Sequence, residues 1–162
     1  MKPVGYQFVR ARGLSSWLIA EDGGMNLPFS HVDLILPEGL WGARSDRIGG
    51  KPPGVQCRPE GYGNKEWIYR YRMTKMVPDE QADKLYSIAR SQEKKPYDKL
   101  AILSFIIQRN WRDDDSWICS EYGIWVGEQS GIWPPLIATP NKVVPNGLAL
   151  VCSATGFSGE LM

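Results

Sequence analysis

The stretch "SHVDLILPEGLWGARS", residues 30–45, decides how the fold of this chain is interpreted. Its first part, "SHVDLIL" (30–36), is apolar and β-branched, which favours a strand. "PEG" (37–39) is a turn sequence, and "LWGARS" (40–45) resumes an extended pattern. The stretch therefore predicts a β-hairpin whose first strand opens with His31, the single histidine of the chain.

The composition is that of one globular domain, and we take residues 1–162 as that domain. Hydrophobic residues make up 43% and charged residues 23% of the chain, which are ordinary values. A net charge of +1 without a polybasic run gives no support for binding to nucleic acid or to an anionic membrane. Three cysteines and one histidine suit neither a disulfide framework nor a typical zinc site. We therefore expect no metal and no cofactor.

Two features of the sequence indicate where in the cell the protein is expected to be. The N-terminal "MKPVGYQFVRARG" lacks the apolar segment of a secretory signal. The longest apolar run, "LAILSFII" (100–107), is too short to span a bilayer. The sequence therefore predicts no integral membrane segment and a cytoplasmic protein, unless a phage lysis system exports it or a virion carries it.

Alternation and turn residues predict the remaining elements. Further strands are expected over 6–13, 55–59, 66–73 and 147–152, and helices over 14–20, from Pro78 onwards, over 98–108, and from Ser116 to Gly127 or Gly131. In the helix after Pro78, the positions at helical spacing are Ala82, Leu85, Tyr86 and Ala89. Strands followed by helices and a last strand form an α+β pattern.

Cys119 lies in "SWICSEYG" (116–123), near the start of the last predicted helix. With Ser116 as N-cap, Cys119 occupies the third helical position, where free backbone N–H groups and the helix dipole favour a thiolate. The acidic run 113–115 at the same place disfavours a second negative charge. The only available base is His31, and such pairs meet in space rather than in sequence. Taken alone, a lone cysteine is more often a small buried hydrophobe.

Four segments change this balance because they resemble one family. "SHVDLILPEG", "WGAR" with "GGKPPGVQCRP", "KPYDKLAILSFI" and "WICSEYG" are similar, in this order, to motifs of the circularly permuted NlpC-type papain-like cysteine hydrolases. The similarity is to the YiiX-like branch, which is related to lecithin:retinol acyltransferase, and it covers about residues 30–127. It implies a circularly permuted papain-like α+β fold in which an antiparallel sheet packs against helices.

The resemblance also implies the roles of the site residues. It makes Cys119 the nucleophile and His31 its general base. The third residue of the family is a polar group on the strand after the histidine strand, where it orients the imidazole. The frequent glutamate of the family falls at Ala43 in this chain, so a different residue must take that role.

The hairpin offers substitutes for that third residue. If Leu36 pairs with Leu40 around the turn, His31 lies opposite Ser45. A loop that differs by one residue places Asp46 there instead, and a backbone carbonyl is another alternative. We predict Ser45 as the third residue, with Asp46 as the alternative.

The substrate cleft is expected to include Tyr97, which matches the "YD" position of the family, together with Trp117 and Ser120 beside the nucleophile. Cys57 and Cys152 lie in apolar stretches and are expected to fill the core.

The implied activity is hydrolysis or acyl transfer at an amide or ester, in a peptide, a cell-wall peptide or an acyl lipid. The alternative is a noncatalytic binding or structural module that retains the fold, such as a phage-associated accessory protein. A weaker alternative is a tryptophan-rich carbohydrate binder, which would need several exposed, coplanar tryptophans.

Overall fold

The computed structural model describes residues 1–12, 28–98, 117–136 and 143–162, and there it has an α+β fold with one antiparallel sheet of six strands and three helices. The strands are β1 (Lys2–Ala11), β2 (His31–Leu36), β3 (Gly39–Arg44), β4 (Gly54–Arg58), β5 (Trp67–Val77) and β6 (Ser158–Leu161). The helices are α1 (Asp79–Ser91), α2 (Cys119–Ser130) and α3 (Pro145–Ala154).

The strand order in the sheet is β4-β3-β2-β1-β5-β6. β1 is central and pairs with β2 on one side and with β5 on the other. The predicted hairpin is therefore confirmed as β2 and β3, and His31 lies at the end of its strand, opposite Val9.

The two faces of the sheet have different characters because side chains alternate along a strand. Tyr6 and Phe8 of β1 and Leu34 of β2 face the main core, which they share with apolar side chains of all three helices. Gln7 and Asp33 are neighbours in the register of β1 and β2 and lie on the opposite face. That face has its own small apolar cluster, formed by Val9, Ala11, Leu40 and Trp67.

Helix α1 follows the prediction closely. Its buried residues are Ala82, Leu85, Tyr86 and Ala89, the four positions that the helical spacing indicated. Pro78 precedes the helix as its N-cap, with φ −51° and ψ 144°, rather than lying in its first turn. The long strand β5 before it includes the predicted strand 66–73 except for its first residue.

The prediction of a closing strand over 147–152 is wrong, because these residues belong to helix α3. Pro145 occupies its first turn, where a missing N–H costs nothing. Leu148, Ala149 and Cys152 share its buried side, at spacings that only a helix brings onto one face. The closing strand is β6, further along the chain, and it pairs with β5.

Several predictions fall on residues outside the described ranges. These are the short helix over 14–20, all but the first residue of the helix over 98–108, the acidic run 113–115, and Ser116 as an N-cap. None of the helices within the four described ranges combines the length and the apolar character needed to cross a membrane.

Candidate active site

Helix α2 begins at Cys119, two residues later than the sequence predicted, so Cys119 is its first residue and Ile118 is its N-cap. The reason is a backbone bridge just before the helix. The Trp117 N–H donates to the Pro96 carbonyl at 3.0 Å, and the Asp98 N–H donates to the Trp117 carbonyl at 3.0 Å. These bonds hold Trp117 in an extended bridge, so Trp117 is not part of helix α2.

The start of α2 places backbone N–H groups near the thiol. The first helical hydrogen bond recorded at this end is from the Tyr122 N–H to the Ile118 carbonyl, at 3.0 Å. The N–H groups of Cys119 and Ser120 precede that bond, in the first turn of the helix. They form the positive end of the helix dipole at the position of the sulfur.

The Cys119 sulfur lies beside the first residues of β2. The His31 side chain and the Val32 backbone N–H are the neighbours that lower the pKa of the Cys119 thiol. Burial raises the pKa of the Cys119 thiol, and the Asp33 charge adds to this effect. The charge and hydrogen bond of His31, together with the Val32 N–H, outweigh both, so the thiol pKa lies below its ordinary value. The arrangement favours a thiolate.

The imidazole of His31 is held from its other side. Its Nε2 lies 2.9 Å from Oδ1 of Asp33 and 3.2 Å from the hydroxyl oxygen of Tyr62. Because Nε2 is occupied in this way, Nδ1 is the ring nitrogen left to face the thiol. Burial and the Arg44 charge lower the pKa of His31. Asp33 and Cys119 raise it by more, so the pKa of His31 lies above its ordinary value.

Asp33 supplies the negative charge behind the imidazole. Its side chain is fully buried, and its Oδ2 accepts a hydrogen bond from the Tyr62 hydroxyl at 2.8 Å. Burial raises the pKa of this carboxyl, but His31, Arg44 and the Tyr62 hydroxyl lower it by more. The pKa of Asp33 therefore lies below its ordinary value, and Asp33 is ionised. His31 thus lies between Cys119, with which it interacts electrostatically, and Asp33, to which its ring is hydrogen-bonded.

The predicted register of the hairpin is wrong by one residue. The structure pairs Leu36 with Gly39 rather than with Leu40, because the turn consists of two residues, Pro37 and Glu38, instead of three. Gly39 is the first residue of β3, and its φ of 147° is open to glycine but strained for other residues.

This shift also overturns the geometric argument for Ser45 and Asp46. Ser45 is exposed, and Asp46 accepts hydrogen bonds from the Arg44 guanidinium at 3.2 and 3.4 Å. The residue that hydrogen bonds the His31 ring is instead Asp33. Sequence reasoning missed it although the signal was present, since residues two apart on a strand project from the same face.

Tyr62 is a second residue that sequence reasoning missed. It belongs to the turn segment 59–66 between β4 and β5, and no local pattern marks it. Two guanidinium groups lie over its ring, those of Arg44 and Arg58, each 5.7 Å from the ring centroid. Only the folded chain brings this tyrosine to Asp33.

The predicted cleft residues have different surroundings. Tyr97 is half-buried and lies close enough to Cys119 for the thiolate to raise the pKa of the phenol, which burial raises most. Trp117 is buried, and its indole N–H donates to Gln92 at 3.3 Å. Ser120 is buried, and its hydroxyl has no hydrogen-bond partner among the residues that the structure describes.

The other two thiols have raised pKa values. Cys152 is fully buried in the main core, as predicted, and burial raises the pKa of its thiol. Cys57 is only half-buried, and burial together with the Glu38 charge raises its thiol pKa. The pKa of the Cys119 thiol is lowered, whereas those of Cys57 and Cys152 are raised.

The tryptophans do not form an exposed platform in the described part of the chain. Trp41, Trp67, Trp117 and Trp133 are all buried there. A carbohydrate-binding surface of coplanar tryptophans is therefore not supported by these side chains.

Gly42 provides a steric test of the site. A Cβ added to Gly42 would lie 1.9 Å from Oδ1 of Asp33, the oxygen that holds His31. We expect Gly42→Ala to displace the carboxylate, to lower the free energy of unfolding by about 2 kcal/mol, and to slow alkylation of Cys119. Urea denaturation and the alkylation rate measure these two effects.

Gly147 in α3 supplies the matched control, since the nearest atom to an added Cβ there is Val143 Cγ1 at 3.2 Å. Gly147→Ala should leave alkylation unchanged. If Gly42→Ala behaves like this control, Asp33 does not occupy the position described.

No protein-family model matches the chain, and no curated protein matches it. The chemistry of the site is therefore argued from its own groups. Attack on a carbonyl carbon uses a thiol with a lowered pKa, an imidazole backed by a carboxylate, and N–H groups at a helix N-terminus, and all three are present here.

Proposed function

We propose that this protein is a cysteine-dependent hydrolase or acyltransferase with a circularly permuted papain-like fold. The observation that supports this most is the juxtaposition of Cys119, His31 and Asp33, in which Asp33 is hydrogen-bonded to the imidazole and the thiol pKa is lowered at a helix N-terminus. The order of the parts also agrees with the permuted arrangement, since the histidine strand β2 precedes the cysteine helix α2.

The first half of the reaction acylates the thiol. The Cys119 thiolate attacks the carbonyl carbon of an amide or ester, an S–C bond forms, and the carbonyl electron pair moves onto the oxygen. The N–H groups at the start of α2 hold that oxyanion. The imidazolium of His31 then gives its proton to the leaving nitrogen or oxygen as the bond from carbon to that atom breaks.

The second half releases the acyl group. Neutral His31 takes a proton from water, or from an acceptor alcohol or amine, and the resulting nucleophile attacks the thioester. The C–S bond breaks and returns Cys119 as a thiolate. Asp33 keeps the imidazolium in place during both halves. Suitable substrates are peptides, cell-wall peptides and acyl lipids.

A second candidate function is a noncatalytic binding or structural module with the same fold. It is favoured by the burial of the two central side chains, since Cys119 is 5% exposed and His31 is 6% exposed. In that case the pair would stabilise the sheet and α2 without meeting a substrate.

Selective alkylation tests the proposal at the thiol. Near neutral pH, we expect iodoacetamide to label Cys119 about ten times faster than Cys57 or Cys152, because only its pKa is lowered. Peptide mass spectrometry resolves the three rates. Protein unfolded in urea is the control, because all three thiols should then react alike, whereas equal rates in the folded protein would contradict the proposal.

Turnover separates the two candidate functions. A hydrolase should release the leaving group of activated acyl esters and amides, and Cys119→Ala should abolish that release. The module predicts the same background rate for both proteins. Identical rates of release for the unaltered protein and Cys119→Ala would rule out the hydrolase, even if Cys119 were the most reactive thiol.

A further inference from the structure

The hydroxyl of Tyr62 connects to both polar groups behind the nucleophile. It donates its proton to Oδ2 of Asp33 at 2.8 Å, and its oxygen lies 3.2 Å from Nε2 of His31. Because a phenol has one proton, giving it to Asp33 leaves the oxygen to accept from an Nε2–H. The arrangement therefore specifies which ring nitrogen carries hydrogen when His31 is neutral.

The ring of Tyr62 has little freedom to move. The Arg44 and Arg58 guanidiniums lie on it, and Trp67 meets it edge-on with ring centroids 5.1 Å apart. Gly49 lies so close that an added Cβ would come within 2.8 Å of the Tyr62 Cβ. A hydroxyl held this firmly is suited to fixing a partner rather than adapting to one.

The Tyr62 hydroxyl also remains a donor across the working range of pH. Burial raises the pKa of the phenol far above its ordinary value, and the Asp33 charge adds to this, so the proton stays on the oxygen. With Oδ2 satisfied by this proton, the Asp33 carboxylate presents Oδ1 to the imidazole.

We infer that Tyr62 is a positioning residue, which acts through Asp33 to fix the orientation and the hydrogen placement of His31 and thereby leaves Nδ1 for the thiol. This inference rests on the proposed function for its relevance to catalysis. The groups that face His31 are Asp33 on its own strand, Arg44 and Asp46 from β3 and the residues after it, Cys119 from α2, and Tyr62.

Replacement of the hydroxyl tests the inference. Tyr62→Phe keeps the ring and its two guanidinium neighbours and removes only the O–H. The carboxylate is then free to turn away from the ring, so the pKa of His31 should fall and alkylation of Cys119 near neutral pH should slow by about tenfold. Because the chain has a single histidine, an NMR titration follows His31 without ambiguity.

Tyr69→Phe is the matched control, since it removes a phenol that donates to the Pro28 carbonyl at 2.6 Å, away from Asp33. It should leave the His31 titration unchanged. An unchanged or raised His31 pKa in Tyr62→Phe would overturn the inference. So would a change of the His31 titration in Tyr62→Leu but not in Tyr62→Phe, because that pattern would show that the ring packing alone matters.

A measurement on the unaltered protein covers the case in which these variants do not fold. Nitrogen-15 NMR of neutral His31 should place the proton on Nε2, and a proton on Nδ1 would overturn the inference. These readouts report ionisation rather than turnover. A protein without acyl turnover that still shows the predicted shifts would refute the proposed function and leave the positioning role intact.

Discussion

His31→Ala is expected to slow alkylation of Cys119 by at least about a hundredfold at a pH of about 6.5. In the unaltered protein, the charge and hydrogen bond of His31 lower the thiol pKa against burial. Without them, burial and Asp33 both raise that pKa, so the thiolate fraction falls steeply below neutral pH. The measurement is the pH dependence of the iodoacetamide rate at Cys119.

His31→Gln and the other thiols serve as controls for this result. Glutamine keeps much of the volume and hydrogen bonding of histidine but carries no charge, so it should slow Cys119 nearly as much as alanine does. The rates at Cys57 and Cys152 should not change. If the His31 variants react at Cys119 as fast as the unaltered protein, opening of the buried site limits the rate and the imidazole does not activate the thiol.

Arg58→Met is expected to lower the free energy of unfolding by about 3 kcal/mol or more. Arg58 is 1% exposed, and its guanidinium donates to backbone carbonyls of β3, β4 and the turn between them, among them Gly42 at 2.9 Å and Pro52 at 3.1 Å. Methionine preserves the apolar stem but leaves these buried carbonyls without donors. Urea denaturation measures the loss.

Arg90→Met is the matched control because its guanidinium forms a bidentate pair with Glu38 at 2.7 and 2.8 Å on the surface. Exposed pairs of this kind contribute at most about 1 kcal/mol. Similar losses in the two variants would contradict the buried network. Arg58→Met should also slow alkylation of Cys119, because Tyr62 loses one of its two guanidinium neighbours.

The elements with a strong repeating pattern were predictable from the sequence. The four buried positions of α1 recur at helical spacing, and β2 and β3 alternate around a recognisable turn. The apolar run 147–152 was not predictable in this way, because a short apolar run suits a buried strand and a buried helix equally. Pro145, which favours a helix start, was the signal that would have decided it.

The sequence predicted that His31 and Cys119 lie near each other, but it did not predict which residue hydrogen bonds the His31 ring. His31 and Cys119 were paired from the chemistry that they share, whereas Ser45 depended on a strand register. A single residue in the turn changes that register and reverses every side chain on the partner strand. The position of Asp33 relative to His31 does not depend on the register between strands, because both residues lie on the same strand.

The coupling between Cys119 and His31 is tested most directly by an NMR titration of His31 in the unaltered protein and in Cys119→Ser. The charge of an ionised Cys119 raises the pKa of His31, and serine is similar in size and polar but does not ionise in this range. The predicted result is a His31 pKa above about 6.5 in the unaltered protein and a lower pKa in the variant. The same His31 pKa in both proteins would contradict a thiolate–imidazolium pair.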